Sequence, residues 1–201
     1  MPIIEPTDTT SDTGLPFLME WLRAPRQIGA IAPSGRHLAA AMTDDLCPAC
    51  APVIELGPGT GVFTEAFLRR GVPAQRVAAV ELNNTFATGL AARFPDIQVL
   101  RGDATRLAAL SPFGPGGAHR VICGLPLRSM APKTILRILS GSFANLAPGG
   151  ELRLFTYGLG CPVPASILDR LDLRAKRKAF ILRNAPPAAV FSIQRRGPAL
   201  P

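Results

Sequence analysis

From residue 53 onward, short unbroken apolar runs alternate with stretches in which apolar positions recur every three or four residues. The runs Val53–Leu56, Val77–Glu81, Gln98–Arg101, Arg120–Cys123 and Glu151–Tyr157 predict strands. The stretches Val62–Arg70, Thr85–Phe94, Pro132–Asn145 and Pro164–Leu171 predict helices. Regular alternation of this kind predicts an α/β fold, a parallel, doubly wound sheet with helices on both faces. The order changes at the end of the chain. Only Asn184-Ala-Pro-Pro187 separates Leu173–Arg183 from Ala188–Arg195, so these two should pair as an antiparallel hairpin.

Ahead of residue 51 the pattern differs, and three segments are expected: a polar, acidic tail over 1–14, N-terminal helices within 15–50, and the main domain over 51–201. Phe17, Leu18, Trp21 and Leu22 share one side of a short helix over Leu15–Ala24, which Pro25 stops. A second helix is predicted from Ser34 to about Leu46, with Ser34 as its N-cap and Leu38, Ala41 and Met42 at helical spacing.

The chain has 201 residues, 47% of them hydrophobic and 18% charged, enough apolar material for one buried core and too little charge for general disorder. Every apolar run ends well short of the ~18 residues that suggest a membrane span. The opening residues lack the basic and apolar regions of a secretory signal, so a cytoplasmic protein is expected. Lys+Arg number 22 against 14 Asp+Glu, a formal charge of +8, and only Lys133, Lys176 and Lys178 are lysine. Such an arginine excess attracts polyanions: nucleic acid, an anionic membrane surface or a phosphorylated substrate.

Cys47-Pro-Ala-Cys50 is a C-x-x-C pair, but with only His37 and His119 in the chain it has no partners to complete a zinc site, and no metal is expected. Its first reading is a Pro-rich connection from helix to strand; a redox role is the second.

The chemistry concentrates in Val53-Ile-Glu-Leu-Gly-Pro-Gly-Thr-Gly-Val-Phe-Thr64. A buried strand runs into a glycine turn that opens a helix, and such a turn lets a nucleotide-like ligand approach the backbone. The glycines at 57, 59 and 61 give G-x-G-x-G, not the G-x-G-x-x-G of dinucleotide sites. Glu55, inside the strand, needs a cationic or hydrogen-bonding partner. Glu81 ends the next strand about 20 residues past the turn, the interval at which an acidic residue meets the ribose hydroxyls. Gly102-Asp103-Ala104 follows the third strand and Gly124-Leu-Pro-Leu127 the fourth, all at the sheet edge where such ligands bind.

In this order and at these intervals the motifs resemble the class I S-adenosylmethionine-dependent methyltransferases. The resemblance covers most of the chain from Pro52 to Arg195 and implies a Rossmann-like, mostly parallel seven-stranded sheet with a C-terminal antiparallel hairpin. It implies S-adenosylmethionine as methyl donor and S-adenosylhomocysteine as product. It places Glu55 and the turn of Gly57, Gly59, Thr60 and Gly61 near the methionyl part, Glu81 at the ribose, and Asp103 with Ala104 near adenine, with Leu82 and Gly124 also among the donor-binding residues.

Two relatives within that superfamily stand out. The rRNA adenine dimethyltransferases carry N-[LI]-P-[YF], whose aromatic residue stacks on a flipped-out base. Here Gly124 stands in the asparagine position and Leu127 in the aromatic one, and the helical C-terminal domain of that family is not expected. The segment from Phe17 to Ser34, followed by E-L-G-P-G-T-G-V-F-T and G-L-P-L, is similar to the soluble bacterial phosphatidylethanolamine N-methyltransferases.

That resemblance implies transfer of methyl groups to the amine of phosphatidylethanolamine and its methylated derivatives, towards phosphatidylcholine, at the inner face of the cell membrane. Nucleic acid is not an expected partner, although rRNA adenine methylation is the alternative activity and a lipid- or nucleic-acid-binding module the non-enzymatic one. Carbonyls around Gly124-Leu125, held by Pro126, would accept the amine N–H groups, and Tyr157 would face the methylated cation. His37 is a candidate proton acceptor. Ser34, Arg26 and Arg36 are candidates for the phosphodiester, with a solvated basic face as the plainer reading of the arginines. Trp21, with Phe17, Leu22 and Arg23, suits a membrane-surface element, a cover over the site or ordinary packing. Arg174, Lys176, Arg177 and Lys178 would add attraction for anionic lipid.

Overall fold

The computed structural model describes residues 33–184 and 186–197. The expected tail, the Leu15–Ala24 helix with Trp21, and Arg26 lie outside the described residues.

Helix α1 spans Pro33–Met42. It departs from expectation at both ends: Ser34 is its second residue and not a cap ahead of it, and the chain turns away at Thr43 instead of continuing to Leu46. A proline suits the first turn of a helix, where its missing N–H has no intrahelical acceptor to lose. At the other end, the Thr43 hydroxyl donates to the Ala39 carbonyl at 2.8 Å.

The strands are β1 Val53–Leu56, β2 Val77–Glu81, β3 Gln98–Arg101, β4 Ala118–Cys123, β5 Leu146–Thr156, β6 Leu173–Ile181 and β7 Ala188–Arg195. Between them lie α2 Val62–Arg69, α3 Asn84–Arg93, α4 Leu107–Leu110, α5 Pro132–Asn145 and α6 Ala165–Arg170. The strands form one sheet in the order β3-β2-β1-β4-β5-β7-β6, with β7 antiparallel to both β5 and β6. The doubly wound, Rossmann-like sheet with its terminal hairpin is as the pattern predicts. Strand β5 begins five residues earlier than expected, because the Pro148-Gly-Gly150 stretch is carried in the ladder by a register shift opposite Ala118 to Arg120.

Alternation along the strands sorts side chains to the two faces. Ile54, Leu56, Val121, Leu152, Leu154 and Phe191 pack under α4, α5 and α6. Val53, Val77, Ala79, Ile122 and Val190 pack under α1, α2 and α3. Sequence order reverses between β1 and β4, the neighbours that diverge from the centre of the sheet, and a ligand site forms beyond the carboxyl ends of such strands.

Candidate functional site

The turn after β1 is built to lie open. Gly57, Gly59 and Gly61 all adopt left-handed φ, at 68°, 55° and 81°. A side-chain carbon built on Gly59 would meet no atom within 4 Å, so the main chain there is bare towards the front of the sheet. Across the switch point, a carbon on Gly124 would stand 2.7 Å from the Gly57 carbonyl oxygen. Only glycine allows the β1 and β4 turns to approach so closely, and the Gly124 N–H donates to the Leu56 carbonyl at 2.8 Å.

Glu81, buried at the end of β2, braces this turn. Its Oε2 accepts the Gly59 N–H at 3.1 Å and its Oε1 the Asn83 N–H at 2.8 Å. Arg93 of α3 donates to the Thr60 carbonyl at 2.8 Å and pairs with Glu65 of α2. Thr60 itself is exposed.

Glu55 is fully buried on the face of β1 covered by α1 to α3. Its partner is not a cation: the Thr64 hydroxyl of α2 donates to Oε2 at 2.5 Å, and Oε1 has no hydrogen-bond partner among the described residues. Burial first, with the charge of Glu81 adding to it, pushes the Glu55 carboxyl up to about 8 against the opposing hydrogen bonds from Thr64. An orphaned, buried carboxyl oxygen beside a bare glycine turn fits a ligand that brings its own polar head.

Further along the same edge, Asp103 precedes a 3-10 turn over Ala104–Arg106, and its Oδ1 accepts the Thr105 N–H at 2.8 Å. Ala104 is buried beneath it. Leu82 is 75% exposed, an unusual placement for leucine, and with Asn84, Arg101 and Gly102 it lines a cavity of about 440 Å³ between the β2 and β3 turns. That cavity suits a flat aromatic group against Leu82. Glu55 in β1 and Glu81 at the end of β2 therefore lie beside the neighbouring turns on one sheet edge that carry Gly57, Gly59, Thr60, Gly61, Leu82, Asp103, Ala104 and Gly124.

After β4, Gly124, Leu125 and Pro126 are half-buried and lead into a 3-10 turn over Leu127–Ser129. The Leu125 carbonyl already accepts the Leu127 N–H at 2.9 Å. Tyr157 follows β5 and is half-buried, which pushes its hydroxyl up to about 12. Its ring meets Phe155 edge-on at 5.5 Å, and Phe155 meets Phe63 of α2 the same way at 5.8 Å. Arg36 and His37 are exposed on α1.

Thr64, Asn83, Phe63 and Phe155 join this site without having been singled out from the sequence. Thr64 closes the glycine-rich stretch, but that it reaches back to Glu55 is a property of the folded turn. The aromatic row had a fainter signal, Phe63 one residue into α2 and Phe155 two before Tyr157.

Comparison with known proteins bears on the same edge. Residues 53–150 match a family model described as a methyltransferase domain. An ornithine lipid N-methyltransferase of Singulisphaera acidiphila is 32% identical over 181 residues, which span 87% of this chain and 92% of that protein. A probable ribosomal RNA small subunit methyltransferase A of Methanospirillum hungatei is 37% identical over 97 residues, 45% of this chain, and the chain spans only 34% of its length. Among solved structures, the 1,6-didemethyltoxoflavin N1-methyltransferase of Burkholderia thailandensis, bound to its substrate and S-adenosylhomocysteine, superposes with a TM-score of 0.65. That match covers 98% of this chain and 93% of the other at 16% identity, a likeness of fold.

Proposed function

The chain belongs to the class I S-adenosylmethionine-dependent methyltransferases, and from that premise we propose that it methylates the amine of a membrane lipid, phosphatidylethanolamine and its methylated intermediates, towards phosphatidylcholine. The observation that carries this reading is the match to a lipid N-methyltransferase along 92% of that protein's length, whereas the chain spans 34% and 48% of two rRNA methyltransferases that it matches over 97 and 162 residues.

The donor, when bound, supplies an electrophilic methyl on a sulfonium sulfur. The bare turn at Gly57–Gly61 and the orphaned Glu55 oxygen would hold its amino-acid end, Glu81 its ribose, and Leu82, Asp103 and Ala104 its adenine. The residues facing the acceptor have a different task. An ammonium has no lone pair, so the amine must be held as the free base with its lone pair aimed at the methyl. The Gly124 carbonyl accepts an N–H from it, and Pro126 stiffens the loop that presents this oxygen. Each added methyl removes an N–H, and the cationic product then favours an aromatic face, which the Phe63, Phe155 and Tyr157 row provides with Tyr157 outermost in the chain order. Arg36 reaches for the headgroup phosphate, with Ser34, Arg26 and Trp21 as further contacts, and His37 takes the proton released by the amine.

A membrane surface is the natural source of such an acceptor. No helix among the described residues is long and apolar enough to cross a membrane. Strand β6 runs parallel to β5, so the β6–β7 turn lies at the same sheet edge as the donor cradle. There Leu182 is 74% exposed beside exposed Phe180 and Arg183, and Leu159, after β5, is 67% exposed. Apolar side chains flanked by cations fit an anionic lipid surface.

Methyl-labelled donor offered with phosphatidylethanolamine vesicles, ornithine lipid vesicles and ribosomal RNA tests this reading. Label in phosphatidylethanolamine is expected. Label confined to ornithine lipid would move the acceptor within the lipid amines, and label confined to RNA would replace the proposal with rRNA methylation.

A further inference from the structure

At the opposite edge of the sheet, by the amino ends of β1 and β4, the C-x-x-C pair has a geometry that methyl transfer does not use. Cys47 has extended backbone and caps a 3-10 turn over Pro48–Cys50; the Cys50 N–H donates to the Cys47 carbonyl at 2.9 Å. The turn brings the two Sγ atoms to 3.1 Å, with both thiols free. A disulfide needs a separation of about 2.05 Å, so roughly 1 Å of movement closes one.

The two sulfurs are not equivalent. Both side chains are partly exposed, but Cys50 Sγ also lies 3.5 Å from the Asp45 carbonyl. The bond from Cys50, then the backbone N–H groups of Ala49 and Cys50 and last the Arg120 charge, draw the Cys47 thiol below its ordinary value against burial, while burial pushes Cys50 up. This is the asymmetry of an attacking and a resolving thiol. Beside Cys50 a cavity of about 140 Å³ is lined by His119, Arg120 and the Gly149-Gly150 backbone. Arg120 Nε is buried there and has no hydrogen-bond partner among the described residues. A guanidinium with donors to spare suits a ligand carrying carboxylates.

We infer that Cys47 and Cys50 form a redox-active dithiol that exchanges with small, carboxylate-bearing disulfides docking beside Arg120. The Cys47 thiolate attacks one sulfur of the disulfide R–S–S–R. A mixed disulfide forms at Cys47, and the first RS⁻ leaves and takes up a proton equivalent to the one Cys47 released. Cys50, its proton passing to solvent, then attacks Cys47 Sγ and expels the second RS⁻, which is protonated in turn. The protein loses two electrons and two protons to an internal disulfide, and R–S–S–R gains both as two thiols. The site stands on its own residues and does not depend on the identity of the methyl acceptor.

Reduced protein, folded and at neutral pH, is equilibrated with glutathione disulfide, then denatured in excess alkylating agent and mapped by peptide mass. The expected result is a peptide holding Cys47 and Cys50 that has lost two hydrogens, with Cys123 and Cys161 still alkylated. The C50S variant should hold one glutathione on Cys47, released by reductant. The inference is overturned if wild-type Cys47 and Cys50 stay alkylated, or if glutathione collects equally on Cys161. The wild-type result decides the matter even if C50S does not fold.

Discussion

Glu81 and Gly59, 22 residues apart on two different turns, are joined by a hydrogen bond in which the carboxylate accepts the bare glycine's N–H at 3.1 Å. The residue proposed for the donor ribose thus also shapes the turn proposed for the other end of the donor. Replacing it removes charge-assisted bonds worth about 1.5–3 kcal/mol each. Glu81→Ala is expected to weaken S-adenosylhomocysteine binding roughly 10- to 100-fold by calorimetry. Unchanged affinity would remove Glu81 from the site.

Gly124 and Gly89 form a matched test of close approach. Gly124→Ala sets a methyl 2.7 Å from the Gly57 carbonyl oxygen and must push the β1 and β4 turns apart. Gly89 lies within α3 with nothing near its missing side chain, so Gly89→Ala meets no obstacle. The first substitution is expected to lower both melting temperature and donor affinity. The second should raise stability by about 0.5–1 kcal/mol and leave affinity unchanged. Thermal denaturation with calorimetry reads both.

The Glu55 carboxyl holds its proton in the folded protein up to about pH 8, against an ordinary value of 4.5 in the unfolded chain. Between those values the native state binds more protons than the unfolded one, so stability falls as pH rises. Glu55→Gln has no proton to lose. Its melting temperature should gain on the wild type as pH goes from 5.5 to 8 in the absence of donor; parallel curves would contradict the protonated, buried acid.

Arg153, wholly buried in β5, ties that strand to the end of α1 through Asp44 at 2.7 Å and Asp45 at 2.8 Å, and pairs with buried Glu151 at 2.7 Å. Burial alone would raise the Asp45 carboxyl, but the Arg153 bond and charge, with Arg120 and Lys178, hold it below its usual value. Arg153→Ala strands Glu151 without its cation and is expected to cost about 3–5 kcal/mol by denaturant unfolding. A loss within 1 kcal/mol would show that the network contributes little.

The exposed tip of the β6–β7 hairpin gives a membrane prediction. Leu182→Glu replaces an apolar contact with a like charge facing anionic lipid, and should reduce binding to anionic vesicles by roughly tenfold or more, since burying a leucine is worth about 1.5–3 kcal/mol. Donor affinity should not change. Equal vesicle binding in a sedimentation assay would place the membrane contact elsewhere.

Most of the scaffold was legible because its signals are local. β1, β2, β3 and α5 fall where their buried runs and flanking glycines or prolines put them. The start of α1 was not, because a serine suited to capping sits one place inside a proline that can itself open the helix. The four-residue α4 was missed because it continues a 3-10 turn and has no period of its own. Glu55 announced itself as a carboxylate in an apolar strand, and of the two kinds of partner expected for it the hydrogen-bonding one is found, the Thr64 hydroxyl. Arg153 also sits in an apolar strand but was not singled out from the sequence; its aspartate partners lie 108 and 109 residues away, and only the packing of α1 on the sheet brings them together.

The central claim is that this chain puts methyl groups on a lipid amine. Its most direct measurement is the mass spectrum of membrane lipids from a bacterial host that makes phosphatidylethanolamine and no phosphatidylcholine, with the chain expressed. The account predicts mono-, di- or trimethylated phosphatidylethanolamine, absent when Gly124→Ala is expressed at equal level. Phosphatidylethanolamine left wholly unmethylated beside abundant, donor-binding protein would contradict it.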